Sequence, residues 1–184
     1  MRKKANRACV LLMALGLGLI GASSGKTKTA AAGTSTVLQD KDCGFSLRYP
    51  KEAKLEVQEG CVLKVTLPPI PGQDWIREAN ITLEVSGAKD GEATERPVDE
   101  EETIGYLVAG GLKFEKSLIV NTEAGLTHTM VSYTAIGKKH QYHWLGIMTS
   151  ADPAASGRPL QHWDPARSAQ KIFDGFIQGF RPLE

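Results

Sequence analysis

The chain has 184 residues, of which 41% are hydrophobic and 23% charged, and 22 Lys and Arg against 21 Asp and Glu give it a formal charge of +1. This composition is typical of a globular protein and excludes wholesale disorder. The length favours one domain, and the near-neutral charge argues against a nucleic-acid-binding protein, which usually shows a basic excess.

Residues 1–25 have the pattern of a secretory signal peptide. Basic residues between positions 2 and 7 precede an apolar run from Cys9 to Ile20, and small residues follow at 21–24. The run is short for a membrane span, which needs about 20 apolar residues. We therefore predict export to the periplasm or beyond, with cleavage near Ser24 or at the alanines 30–32. An uncleaved N-terminal anchor is the alternative.

Loss of the signal peptide would change the charge of the chain. Residues 1–25 carry four positive charges and no negative one, so the formal charge falls from +1 to −3. A mildly acidic protein is a poor partner for nucleic acid or an anionic membrane, and we expect no membrane insertion after cleavage. Residues 26–36 are small and polar, which predicts a flexible linker before a single domain over 37–184.

Two cysteines, Cys43 and Cys61, remain once Cys9 is removed with the signal peptide. An even pair in an oxidising compartment favours a disulfide, which would stabilise the domain by about 3 kcal/mol in the chain-entropy model. Two unrelated buried thiols are the alternative.

The first part of the domain is predicted to form short strands. Apolar and polar residues alternate in four stretches: Phe45–Tyr49, Lys54–Val57, Cys61–Leu67 and Ile81–Val85. The prolines within 68–72 cannot supply the backbone donors of a sheet, so this run is expected to be a loop.

A helix is predicted next. Pro97 suits a first turn, the acids at 99–102 favour the positive end of a helix dipole, and the apolar residues that follow are spaced as on one helix face: Ile104, Leu107 and Val108. The pair Gly110 and Gly111 would end this helix.

Three longer strands and a final helix complete the domain. The strands are predicted at Leu112–Val120, Leu126–Ile136 and His140–Thr149, and the short turns between them favour antiparallel pairing. Asp164 and Pro165 suit the start of a helix whose apolar residues recur at steps of three and four up to Phe180. This order predicts an α+β layered domain.

The strand Gly44–Pro50, which ends in Tyr-Pro, and the closing amphipathic helix that runs into Phe180 and Arg181 give the chain a family resemblance. Over residues 37–182 it resembles the PsbP/DcrB-like group, which includes the Mog family of Ran-binding proteins. The resemblance implies an antiparallel β-sheet flanked by helices in an α/β/α-type sandwich. It implies no single function, since fold does not determine function. The signal peptide fits an exported bacterial member best.

His128 and His143 are the candidate metal ligands. They lie on neighbouring predicted strands and would approach each other if the register allowed, so that a carboxylate could complete a Zn or Cu site. Ordinary surface or sheet histidines are the alternative.

Two loop tryptophans are the candidate binding residues. Trp75 lies in a Pro- and Gly-rich loop, and Trp163 lies beside His162 before the final helix. Aromatic residues on loops often anchor protein interfaces, although each ring could instead fold back and cover the core.

No nucleophile motif is present, and neither remaining cysteine has a neighbouring base in the sequence. We therefore expect a non-catalytic exported domain that needs no cofactor and binds an envelope or periplasmic protein. A carrier of a small ligand or metal through His128 and His143 is the alternative, and a hydrolase is less favoured.

Overall fold

Strands dominate the part of the chain that the structure, a computed structural model, describes: residues 35–87, 102–152 and 163–183. These residues belong to one compact unit, Gly33–Glu184. In chain order the elements are β1 (Ser35–Asp40), β2 (Phe45–Pro50), β3 (Lys54–Gln58), β4 (Val62–Thr66), β5 (Ile76–Gly87), β6 (Glu102–Ala109), β7 (Leu112–Glu123), β8 (Leu126–Ile136), β9 (His140–Ala151), α1 (Pro165–Ile177) and β10 (Phe180–Pro182). The predicted signal peptide, 1–25, lies outside the described residues.

The strands form two sheets in which neighbouring strands pair antiparallel. A large sheet has the order β3-β4-β5-β9-β8-β7-β6, and a small sheet has the order β1-β2-β10. The three long strands β7, β8 and β9 confirm the predicted meander, because short turns join strands that then pair with their sequence neighbours.

The structure describes only part of the segment after Pro97 for which a helix is predicted, and in that part the prediction is wrong. Residues 88–101 lie outside the described part, and the apolar stretch that follows them is strand β6. β-Branched and aromatic residues such as Ile104 and Tyr106 favour a strand, and a stretch this short does not distinguish the two periodicities. Gly110 and Gly111 both have positive φ, 59° and 83°, and form the two-residue turn of the β6–β7 hairpin instead of a helix end.

The expected α/β/α-type sandwich is therefore wrong. The described chain has one helix, α1, and it packs on one face of the large sheet, against β8 and β9. The small sheet provides the rest of the covering layer, since Phe45 and Leu47 of β2 and Phe180 of β10 belong to the same core as the large sheet. A second sheet thus takes the place that the resemblance assigned to helices.

The core lies between these layers and is rich in aromatic residues. Alternate residues of β8 and β9, such as Tyr133 and Trp144, are fully buried. Phe180 lies at the centre and makes ring contacts with Tyr142 at 5.0 Å, Trp144 at 5.8 Å and Phe114 at 5.9 Å between centroids. Burying side chains of this size provides much of the stability of such a domain.

Helix α1 begins as the sequence predicts. The Asp164 carboxylate accepts a hydrogen bond of 2.8 Å from the backbone N–H of Arg167, and Pro165 occupies the first turn. The helix buries Ala169, Phe173 and Ile177 against the large sheet. After it, the chain turns at Gly179, where a Cβ would collide with the carbonyl oxygen of Arg48, and this close approach lets β10 pair with β2.

A disulfide joins Cys43 and Cys61, which lie in the turns that follow β1 and β3. It connects the small sheet to the large one. The predicted linker, 26–36, is wrong at its end, because Ser35 and Thr36 belong to β1 and pair with Pro50 and Tyr49. Residues 26–34 lie outside the described part.

Candidate functional site

A groove of about 680 Å³ lies among the described residues. Its walls come from three separate parts of the chain: the small sheet, the loop that follows β4, and the second half of α1 with the turn after it. The lining residues used below are Val37, Arg48, Leu67–Pro71, Ile172, Gly175, Phe176, Gln178 and Arg181. The volume falls within the roughly 300–1,000 Å³ that is usual for small-molecule sites.

The small-sheet wall is formed by the side chains that do not enter the core. Phe45 and Leu47 of β2 are buried, so the alternating Ser46 and Arg48 lie on the opposite side of the strand. Val37, which pairs with Arg48, is 59% exposed on this wall. The wall is thus a surface that the fold leaves unused in its own packing.

The loop wall is held by backbone hydrogen bonds at both ends. The N–H of Leu67 donates to the carbonyl oxygen of Ala79 at 2.9 Å, and the N–H of Gln73 donates to that of Ile70 at 3.1 Å. The prolines between them fix their own φ angles and leave few backbone donors to be satisfied. The result is a rigid apolar wall.

The helix wall contains a glycine in the interior of α1. A Cβ built on Gly175 would meet no atom within 4 Å, so packing does not require a glycine there. Glycine in a helix interior costs about 1 kcal/mol relative to alanine. Gly175 lines the groove, so a larger residue at this position would reduce the free space of the groove.

The charge of the groove is positive. Arg48 and Arg181 are the charged residues among its described lining, which holds no acidic residue. Arg181 donates through Nη1 to the carbonyl oxygens of Gln178 at 3.0 Å and Phe180 at 2.6 Å, and these bonds orient its guanidinium at the end of the helix. Both arginines are exposed.

The two predicted binding tryptophans lie elsewhere. Trp75 is partly buried and packs against the core. Trp163 is also partly buried, and its indole Nε1 is buried without a hydrogen-bond partner among the described residues. Neither tryptophan lines the groove, and His162 lies outside the described part.

The expected metal pair does not form. His128 pairs with Thr149 and His143 pairs with Thr134, six residues further along β8. At about 3.3 Å per residue the two imidazoles are separated by roughly 20 Å, too far to share an ion. His128 lies 3.1 Å from the Thr149 hydroxyl, and His143 lies 4.0 Å from the Glu84 carboxylate. Across the three described ranges, no cluster of three His, Cys, Asp or Glu residues could hold a metal.

A partly buried ionic cluster ties α1 to the large sheet away from the groove. Lys116 Nζ lies 2.8 Å from Asp174 Oδ2, and the Tyr133 hydroxyl donates to Asp174 Oδ1 at 2.8 Å. Burial, and then the charge of Asp174 and the hydrogen bond to it, raise the pKa of the Tyr133 phenol far above its usual range. The cluster holds Tyr133 neutral and serves the contact between helix and sheet.

Sequence reasoning did not find the groove, because its walls are three segments that are far apart in the chain. Two local signals belong to it. The loop at Pro68–Pro71 carries an apolar residue, Ile70, among its prolines, and Gly175 interrupts the helix pattern without a packing reason. Only the folded arrangement shows that these features face one space.

The comparisons leave the family open. No family model matches the chain, and no curated protein matches it. Solved structures that match include cyanobacterial PsbP (CyanoP) from Synechocystis sp. PCC 6803, at 10% identity and a TM-score of 0.46 over 86% of this chain and 98% of that one. LpqN, involved in cell envelope biogenesis of Mycobacterium tuberculosis, matches at 14% identity and a TM-score of 0.43 over 80% of this chain and 90% of that one.

A third match is a protein of Bacteroides thetaiotaomicron VPI-5482, at 13% identity and a TM-score of 0.44 over 76% of this chain. The match spans 45% of the Bacteroides protein, less than half its length. Identities and scores this low do not establish membership of the PsbP/DcrB-like group, and they say nothing about function. Helix α1, the one helix of the described part, is not long and apolar enough to cross a membrane.

Proposed function

We propose that this chain is an exported, non-catalytic protein that binds a small, largely apolar molecule in the groove between the small sheet, the loop after β4 and α1. The observation that carries the proposal is the groove itself, about 680 Å³ in volume and walled by Leu67–Pro71, Ile172 and Phe176. Apolar concave sites with a few polar groups are the usual form of small-molecule sites.

Export is supported by the sequence and by the disulfide. The basic, apolar and small-residue order of residues 1–25 is that of a secretory signal. Disulfides such as Cys43–Cys61 persist in oxidising compartments outside the cytosol.

Binding is preferred to catalysis because of the chemistry of the lining. Its charged groups are Arg48 and Arg181, which supply hydrogen-bond donors and no acceptor. The described lining offers no carboxylate or imidazole to serve as a general base. The groove is therefore suited to hold a molecule and not to transform it.

The experiment fills the groove from Gly175. In Gly175→Trp the indole would extend into space that is now free, and in the matched control Gly175→Ala only a methyl group is added. Binding of the fluorescent apolar probe N-phenyl-1-naphthylamine is measured by its emission increase. We expect the parent protein and Gly175→Ala to bind the probe and Gly175→Trp to lose binding, with the folded state of each checked by circular dichroism.

Two results would overturn the proposal. One is a parent protein that does not bind the probe. The other is a folded Gly175→Trp variant that binds the probe as tightly as the parent, since the probe would then occupy some other site.

A further inference from the structure

We infer that the molecule held in the groove is an amphiphile with an apolar body and an anionic oxygen head group, a carboxylate or a phosphate, and that Arg48 binds this head group. The inference rests on the proposed function and names the chemical class of the ligand.

The first step is the placement of the two cationic groups. Arg181 pairs with Ser46, two residues from Arg48 on β2. Residues in this diagonal relation on one sheet face lie about 7–8 Å apart, within joint reach of long side chains. Both arginines thus line one wall of the groove, while the loop after β4 contributes prolines, Leu67 and Ile70.

The second step is the difference between the two arginines. Arg181 already uses Nη1 to bind two carbonyl oxygens at the end of α1. Arg48 has no ion pair or side-chain hydrogen bond among the residues that the structure describes. No described residue thus occupies the side-chain donors of Arg48, whereas part of Arg181 is held in place by the fold.

The third step is the match between these donors and a head group. The planar guanidinium presents paired N–H donors that fit two oxygens of a carboxylate or phosphate. With no acidic residue in the described lining, the field in the groove favours an anion and disfavours a cationic amphiphile. An apolar chain would lie against Leu67, Ile70 and Phe176 while its head group reaches Arg48.

The test compares three compounds with the same chain and different head groups: dodecanoate, dodecyl phosphate and dodecanol. Each competes with N-phenyl-1-naphthylamine for the purified protein at pH 8. The two anions are kept below their critical micelle concentrations, and dodecanol is kept below its solubility limit. We expect at least one anion to bind about tenfold more tightly than dodecanol, because a hydrogen bond to a charged group usually changes affinity by about this factor. The anion that binds more tightly identifies the head group.

Arg48→Gln should reduce that preference, and Arg77→Gln is the matched control, because Arg77 is an exposed residue of β5 that does not line the groove. We expect Arg48→Gln to weaken binding of the preferred anion about tenfold and to leave the affinity for dodecanol unchanged. Arg77→Gln should change neither.

Probe binding without a preference for either anion would overturn this inference and leave the proposed function intact. The inference would also be overturned if Arg48→Gln weakened the binding of dodecanol as much as that of the anions. Arg48 would then affect the shape of the groove and not recognise the charge of the ligand. Absence of probe binding in the parent protein would remove the proposed function and the inference together.

Discussion

Removal of the Asp174 carboxylate should destabilise the domain more than removal of its partner Lys116. Asp174 accepts from both the Lys116 ammonium and the Tyr133 hydroxyl, at 2.8 Å each. In Asp174→Ala, both donors lose their acceptor at once, and they lie at the contact between α1 and the large sheet.

The exposure of the two side chains sets the magnitude. The Lys116 side chain is 9% exposed, so water cannot readily solvate its ammonium once Asp174 is gone, whereas that of Asp174 is 32% exposed. Breaking a buried ion pair costs about 3–5 kcal/mol, and because this pair is partly open to water we expect about 3 kcal/mol for Asp174→Ala. Lys116→Met removes the ammonium, which is the less exposed of the two charges, and Asp174 keeps its hydrogen bond from Tyr133. We therefore expect Lys116→Met to lower the free energy of unfolding by about 1 kcal/mol.

Urea unfolding at pH 7, followed by tryptophan fluorescence, measures these free energies of unfolding. The double variant Lys116→Met/Asp174→Ala should be more stable than Asp174→Ala alone, because it leaves no buried ammonium without a partner. Two results would refute the reasoning that Lys116 carries the buried charge. One is an equal loss of stability in the two single variants, and the other is a loss in the double variant that equals the sum of the two single losses.

Two further predictions concern the same fold. Replacing both Cys43 and Cys61 with Ser should lower the free energy of unfolding by about 3 kcal/mol, because the bridge closes a loop between residues 18 apart in sequence. Urea unfolding of the oxidised parent and the double variant measures this, and equal stability would show that the disulfide adds nothing. The raised pKa of Tyr133 makes the folded state keep a proton that the unfolded chain releases near pH 10, so stability should fall above about pH 10 by up to about 1.4 kcal/mol per pH unit. Tyr133→Phe should flatten this part of the stability–pH profile, and an identical slope in both proteins would contradict it.

The sequence predicts those parts of the fold whose signal is local. The meander β7–β9 follows from strict alternation and short turns, and the start of α1 follows from Asp164 and Pro165. The sequence does not predict strand β6, because its apolar residues also fit helical spacing and the two glycines after it suit either a helix end or a hairpin. The deciding fact, the pairing of Tyr106 with Glu115, is a contact with another strand.

The candidate site was beyond sequence reasoning for the same reason. Whether His128 and His143 meet depends on the register between β8 and β9, and the register places them six residues apart. Whether Trp75 is exposed depends on what it packs against. The groove depends on β10 reaching β2, a pairing of the last strand with one of the first.

That pairing also bears on how the domain is made. The meander is built from contacts that are local in sequence, but Phe180, the ring between Phe45, Phe114 and Trp144, belongs to the last of the described strands. Contacts between residues so distant in sequence form slowly, since the intervening chain must be closed first. The core between the two sheets therefore stays incomplete until β10 has paired with β2.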